Sequence, residues 1–203
     1  MKAGVLFSGG KDSALAALLL SRDYHVELST FVFRPDREVP GVERAAGSLG
    51  YPWRKRVFPD GLLDEAVKRV LDCGYPNEAI TMVHRCALRS LAAEYPVVAD
   101  GTRFDDRVPK LTRDQVQNLQ DTLGCSYIRP LLGFPRREVD RLAGLHLQIS
   151  RGETGSLENG DYEFEIREEI AARGCRLADY FPPGHEQSLV LSRIRRTEDD
   201  VDE

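Results

Sequence analysis

Val5-Leu6-Phe7-Ser8-Gly9-Gly10-Lys11-Asp12-Ser13-Ala14-Leu15 is the stretch from which the fold can be read. A short apolar run enters a turn of small residues, and a helix-forming run, residues 14–20, follows at once. Strand, loop and helix in that order aim free backbone N–H groups and a helix N-terminus at an anion. Gly9 and Gly10 allow positive φ and let a phosphate approach the backbone. Ser8 and Ser13 add hydroxyl donors, and Lys11 adds a point charge. The stretch reads as a phosphate-binding loop.

Spacing excludes two common phosphate loops. A Walker A loop needs a glycine five residues before Gly10, where Val5 stands, and a hydroxyl residue where Asp12 stands. The dinucleotide fingerprint needs G-x-G-x-x-G, and that spacing is absent.

Outward from the loop, strands alternate with helices. Strands are expected near residues 3–7, 25–33, 53–58, 96–100 and 126–129, where apolar or alternating runs end at glycine, proline or charge. Helices are expected near 13–22, 45–49, 62–72, 77–94 and 135–143. Thr112-Arg113-Asp114-Gln115 is a capping box that opens another helix, ending near Gly124. This alternation predicts an α/β, Rossmann-like, doubly wound and mostly parallel five-stranded sheet, with ligands beyond the strand C-termini. Past residue 147 the pattern weakens: 150–160 is polar, 161–173 reads as a helix, and 188–194 as a last strand. The expected organisation is a phosphate-binding domain over 1–147, a small C-terminal extension over 148–194 that contacts the acceptor, and a charged flexible tail over 195–203.

A chain of 203 residues suits one domain of this kind with a small appendage. The formal net charge of −5 gives no global positive field to attract nucleic acid. No signal peptide or membrane span is expected, since Met1-Lys2 leads straight into a strand and the apolar run at 14–20 is far too short. A cytoplasmic location follows by default. The four cysteines are then expected to be buried, catalytic or metal-binding rather than paired.

A second constellation, Asp100-Gly101-Thr102-Arg103-Phe104-Asp105-Asp106, follows the fourth strand. Gly101 permits a sharp turn and Thr102 can donate to a phosphate. Asp105 and Asp106 suit Mg²⁺, which takes one or two carboxylates together with phosphate oxygens. Cys86, on the helix of residues 77–94, lies off that helix's apolar stripe, and Arg85 and Arg89 beside it should favour a thiolate.

The complete Ser8-Gly9-Gly10-Lys11-Asp12-Ser13 motif after the first strand resembles the loop of the PP-loop (N-type) ATP pyrophosphatase superfamily, the adenine nucleotide alpha hydrolase-like proteins. These enzymes cleave ATP between the α and β phosphates and adenylate a carbonyl oxygen. The resemblance implies ATP and Mg²⁺ as cofactors. It places the pyrophosphate moiety on residues 8–13, with Lys11 and Asp12 catalytic, and Mg²⁺ on Asp12, Asp105 and Asp106. It also places Gly101 and Thr102 at the phosphates and the adenine at the end of the second strand, near Thr30, Phe31 and Phe33. The acidic segment, Arg129-Pro130-Leu131-Leu132 and Arg136-Arg137-Glu138-Val139 are similar to segments of ATP-dependent sulfur transferases and tRNA thiolases. There a C-x-x-C or single cysteine precedes the fourth strand. Cys86 fills its first place, and Arg89 departs from the pattern at the second, so Cys86 is expected as a persulfide carrier, a sacrificial sulfur donor or one cluster ligand.

The region after the last helix lacks the sulfur-donating cysteine of the transferases that build a thiocarboxylate nickel cofactor. Residues 157–163 faintly resemble a segment of the diphthine–ammonia ligases. His185, in the loop before the last strand, could act as acid or base. Three readings stay open: sulfur transfer such as tRNA thiolation, an amide-forming ligase using ammonia or an amine, and a nucleotide-binding module without turnover. The expected partners are ATP, a tRNA or small-molecule acceptor, a sulfur-donor protein and a second copy of the chain.

Overall fold

A computed structural model describes residues 1–153, 157–182 and 186–194. His185, residues 154–156 and the tail from residue 195 lie outside the described residues. Five parallel strands form the central sheet: β1 (Lys2–Leu6), β2 (His25–Val32), β3 (Trp53–Val57), β4 (Val97–Ala99) and β5 (Ser126–Ile128). Their order is β3-β2-β1-β4-β5. Every pair is parallel, with Gly4 beside Glu27 on one side and Val98 on the other. Chain order reverses between β1 and β4, and there the crevice of a doubly wound sheet opens.

Alternation along the strands feeds two core layers. Val5, Phe7, Leu28 and Val32 point to one face and pack with α1 (Lys11–Leu20) and α2 (Pro40–Leu49). Leu6, Phe31 and Val98 point to the other, against α3 (Leu62–Cys73), α4 (Asn77–Ala92) and α5 (Arg113–Leu123). On α4 the expected stripe of Ile80, Val83, Ala87, Leu88 and Leu91 is buried. Thr112 and Gln115 form both halves of the capping box that starts α5.

The last third of the chain serves both layers. Helix α6 (Arg136–His146) runs directly into β6 (Leu147–Glu153), which pairs antiparallel with β7 (Glu186–Arg193). That two-stranded sheet lies against α1 and α2, where Leu189 and Val190 join the core. Helix α7 (Tyr162–Ala172) crosses to the opposite layer and buries Ile166 and Ile170 beside α3 and α4. Strand β6 was not expected from the sequence. No helix among the described residues is long and apolar enough to cross a membrane.

Candidate functional site

The glycine loop sits where β1 meets α1, and its geometry follows from its small residues. Gly9 has φ 80°, a left-handed conformation that favours glycine. Gly10 is extended instead and precedes the helix, which begins at Lys11 rather than at Ser13. The hydroxyls tie the loop to itself: Ser13 Oγ donates to the Gly10 carbonyl at 3.0 Å and accepts from Ser8 N at 3.3 Å. Strand β4 ends directly against this turn. A Cβ on Gly101 would lie 2.6 Å from the Asp12 carbonyl carbon and the Ser13 nitrogen.

Above the loop opens a cleft of about 600 Å³. Of the residues singled out from the sequence, Ser8, Gly10, Lys11, Asp12, Ser13, Phe31, Gly101, Thr102 and Asp106 line it. Gly9, Thr30, Phe33, Cys86 and Asp105 do not. The reasons are local. The Thr30 hydroxyl donates to the Phe7 carbonyl and accepts from Trp53 Nε1 at 2.9 Å. The Phe33 and Arg34 N–H groups donate to Glu165 of α7, at 2.9 and 3.0 Å. Glu165 is only 2% exposed, so a buried carboxylate occupies backbone groups where an adenine was expected.

The three expected metal carboxylates surround a guanidinium. Arg103 pairs with Asp106, and lies 3.6 Å from Asp12 Oδ2 and 3.7 Å from Asp105. Burial disfavours its charge, but Asp106, Asp12 and Asp105 outweigh that and hold its pKa above the ordinary value. Asp105 accepts the N–H of Arg136 at the start of α6, which holds its carboxyl below the usual range, with Arg103 adding to the effect. It serves as a cap more than as a cleft group. No group of three or more acidic, histidine or cysteine side chains among the described residues is placed to hold a metal ion.

Cys86 departs from expectation. Helical phase put it off the stripe of α4, but it is half-buried against the core. Burial raises its thiol pKa; Arg89 opposes this and Glu65 adds to it. Burial thus favours the thiol over the thiolate that its neighbours suggested.

Sequence reasoning passed over the cleft residues that surround Lys11. Lys11 is buried, its Nζ 2.9 Å from Asp12 Oδ1 and 3.5 Å from Asp140 on α6. Arg136 and Arg151 line the same wall and pair with Asp140 and Glu186. The cleft cations are therefore held by carboxylates that a polyanion could displace. Strand β7 brings Ser188, whose Oγ accepts the Lys11 N–H at 3.1 Å, and the Val190 N–H donates to the Gly9 carbonyl at 2.8 Å. Gly160 N–H donates to the Ser8 carbonyl at 2.8 Å. Asn159 Nδ2 donates to Gln187 at 2.6 Å.

At the floor, His84 of α4 and Asp100 at the end of β4 are 5% and 2% exposed. His84 Nε2 is 2.6 Å from Asp100 Oδ2, the Tyr127 hydroxyl donates to the same oxygen, and Thr102 N–H donates to Oδ1 at 2.9 Å. Burial alone would raise the Asp100 pKa, but the bonds from His84, Tyr127 and Thr102 bring it below the usual carboxylate range. Burial and the neighbouring Asp100 push the phenols of Tyr127 and Tyr162 far upward, so both remain neutral and Tyr127 can donate. The one signal for this network was a histidine on the apolar stripe of α4, four residues after Ile80.

A family model described as "Family of unknown function (DUF7411)" matches residues 1–192. The chain belongs to this DUF7411 family. A protein of Methanocaldococcus jannaschii, uncharacterized protein MJ0690, is 36% identical over 192 residues, covering 94% of this chain and 96% of that one. A crystal structure from the same organism, described as a predicted subunit of tRNA methyltransferase, aligns with a TM-score of 0.87 and 35% identity. It covers 97% of this chain and 100% of that one. The NH3-dependent NAD synthetase of Campylobacter jejuni, in complex with nitrate, aligns with a TM-score of 0.47 and 18% identity, over 71% of this chain and 63% of that one. The six-residue glycine loop in its place after β1, on a five-stranded parallel sheet, makes the DUF7411 chain a PP-loop fold.

Proposed function

We propose that the chain is an AMP-forming ATP pyrophosphatase that adenylates a carbonyl oxygen of an RNA acceptor. The observation that carries the reading is the complete glycine loop at a helix N-terminus, opening into a cleft walled by Lys11, Arg103, Arg136 and Arg151. Backbone N–H groups and these four cations suit a triphosphate. Such catalysis is positioning and charge stabilisation. Lys11 and the loop amides hold the leaving pyrophosphate, and Thr102 lies within reach of the same space. The acceptor oxygen attacks the α-phosphorus, the bond to the β-phosphate oxygen breaks, and pyrophosphate departs with the electron pair.

Asp12 and Asp106 fit a magnesium ion that arrives with the nucleotide, because both converge on Arg103 at the cleft. Bound there, the ion would supply charge neutralisation at the phosphate oxygens. Asp105 is left out of that set, since it caps α6.

The RNA acceptor is supported by the likeness to the M. jannaschii protein described as a predicted subunit of tRNA methyltransferase. The nucleophile that completes the reaction comes from outside the chain, because no cysteine is among the described residues of the cleft. Ammonia, an amine or a persulfide on a donor protein all satisfy this. The test is pyrophosphate and AMP release from ATP and Mg²⁺, with and without total tRNA. Release stimulated by tRNA, and retained in Cys86→Ser, is expected. ATP bound but unaltered under every condition would overturn the reading in favour of a nucleotide-binding module. Loss of thionucleoside formation in a folded Cys86→Ser protein that still releases pyrophosphate would restore sulfur transfer through that residue.

A further inference from the structure

The wall of the cleft at Val108 and Pro109 belongs to the segment between β4 and α5. Its outer side continues onto α4. Lys110 N–H donates to Thr81 Oγ1 at 3.5 Å, and Arg85 and Arg89, one and two turns further along α4, face Leu111, Gln115 and Asn118 across a shallow pit. Arg85, Arg89, Arg107, Lys110 and Arg113 are all exposed. None of the five is in an ion pair among the described residues. That sets them apart from Arg34, Arg37, Arg56, Arg103, Arg136, Arg151 and Arg173, each matched to a carboxylate. Two acids adjoin them in sequence. Asp106 is taken by Arg103, and Asp114 lies in the first turn of α5, where it favours the helix N-terminus. In a chain of net charge −5, five unmatched cations on α4 and on the segment packed beside it form a local positive field.

Phe104 stands in the same segment and is 71% exposed. Its N–H donates to the Phe134 carbonyl, and Arg103 before it reaches into the cleft. An aromatic ring in water, on a segment that also carries exposed cations, matches the chemistry of a nucleic-acid strand, with cations for phosphates and a flat ring for a base. The pit beside Arg85 and Arg89 is lined by these guanidinium groups, the amides of Gln115 and Asn118, and Leu111 and Leu119, with no carboxylate.

We propose that this face, running from Arg85 and Arg89 over residues 107–113 to Phe104, is where the RNA acceptor docks. Phosphates lie along the cations, a base stacks on Phe104, and the reacting nucleotide passes Val108 and Pro109 into the cleft. The inference rests on the proposed function and names the surface that function would use.

The test is equilibrium binding of fluorescently labelled total tRNA to the full chain by anisotropy, at KCl concentrations from about 50 to about 250 mM, a range over which phosphate contacts lose most of their affinity. The wild type is compared with Arg85→Gln/Arg89→Gln, Lys110→Gln/Arg113→Gln and Phe104→Ala. Each double variant is expected to weaken binding about tenfold or more at low salt. Each should also reduce the slope of log K against log salt by about 2, since each lost phosphate contact removes close to 1. Phe104→Ala is expected to lose roughly fivefold or more with the slope unchanged. Melting temperature and affinity for ATP alone, measured on the same proteins, should match the wild type. Wild-type affinity and slope in all three folded variants would overturn the proposal, as would absence of tRNA binding by the wild type at the lowest salt. Failure of the ATP reaction is a separate result: it would show in pyrophosphate release while binding and its salt dependence stood.

Discussion

Gly101→Ala tests whether the cleft depends on the close seating of β4 against the glycine loop. The new methyl would lie 2.6 Å from the Asp12 carbonyl carbon and the Ser13 nitrogen, and 2.8 Å from the Asp12 oxygen. All three atoms are backbone in the first turn of α1, so no rotamer change relieves the clash. Either β4 or the loop must move. Overpacking of this kind costs about 1–3 kcal/mol. For a chain of this length that lowers the melting temperature by roughly 2–12 °C. The shift falls on the atoms that would cradle phosphate, and a displacement of about 1 Å at such a site can reduce turnover by about 100-fold. Gly144→Ala is the control. It lies inside α6, and nothing stands within 4 Å of where its new methyl would go. Helix propensity should there stabilise the protein by about 0.5–1 kcal/mol. Scanning fluorimetry and calorimetric ATP binding on both variants decide the matter. Gly101→Ala melting with the wild type and binding ATP equally well would refute the reasoning.

Three other outcomes follow from the site. Asp100→Asn should cost roughly 3 kcal/mol at neutral pH, because His84, Tyr127 and Thr102 lose a shared anion. Since the Asp100 pKa is lowered on folding, its contribution is present above the ordinary carboxylate value of 3.8 and fades as pH falls through the folded value. The melting gap between the two proteins should accordingly close in acid, as pH falls below the ordinary carboxylate value of 3.8. Iodoacetamide at mildly alkaline pH should label exposed Cys73 ahead of Cys86, whose thiol is half-buried with a raised pKa; peptide mass spectrometry showing the reverse order would contradict that assignment. Glu165→Gln keeps the shape but removes the charge that accepts from Phe33 and Arg34, and should cost about 1–3 kcal/mol by chemical denaturation.

What could be read from the sequence was what local chemistry decides. The glycine loop, the parallel strands, the capping box at Thr112 and the stripe of α4 each depend on residues close together in the chain, and each is present. The failures share a different cause. Helical phase places Cys86 relative to its own helix, but it cannot show what covers that side. Strand β6 alternates weakly, because it has one partner strand and two half-exposed faces. Neither Ser188 on Lys11 nor Glu165 on Phe33 leaves a local signal, since each pair is separated by more than a hundred residues.

These distant contacts also change what the loop is. Residues 8–13 specify an anion site by themselves, but Ser188 already accepts the first helical N–H, and Gly160 and Val190 hold the loop's carbonyls. Asp140 and Glu186 stand among the cations. On the proposed function, a triphosphate entering the cleft must exchange places with groups from α6 and β7, elements of the last third of the chain. Affinity for the nucleotide is then a difference between two sets of charge-assisted bonds, and variants of the last third should alter it without touching the glycine loop.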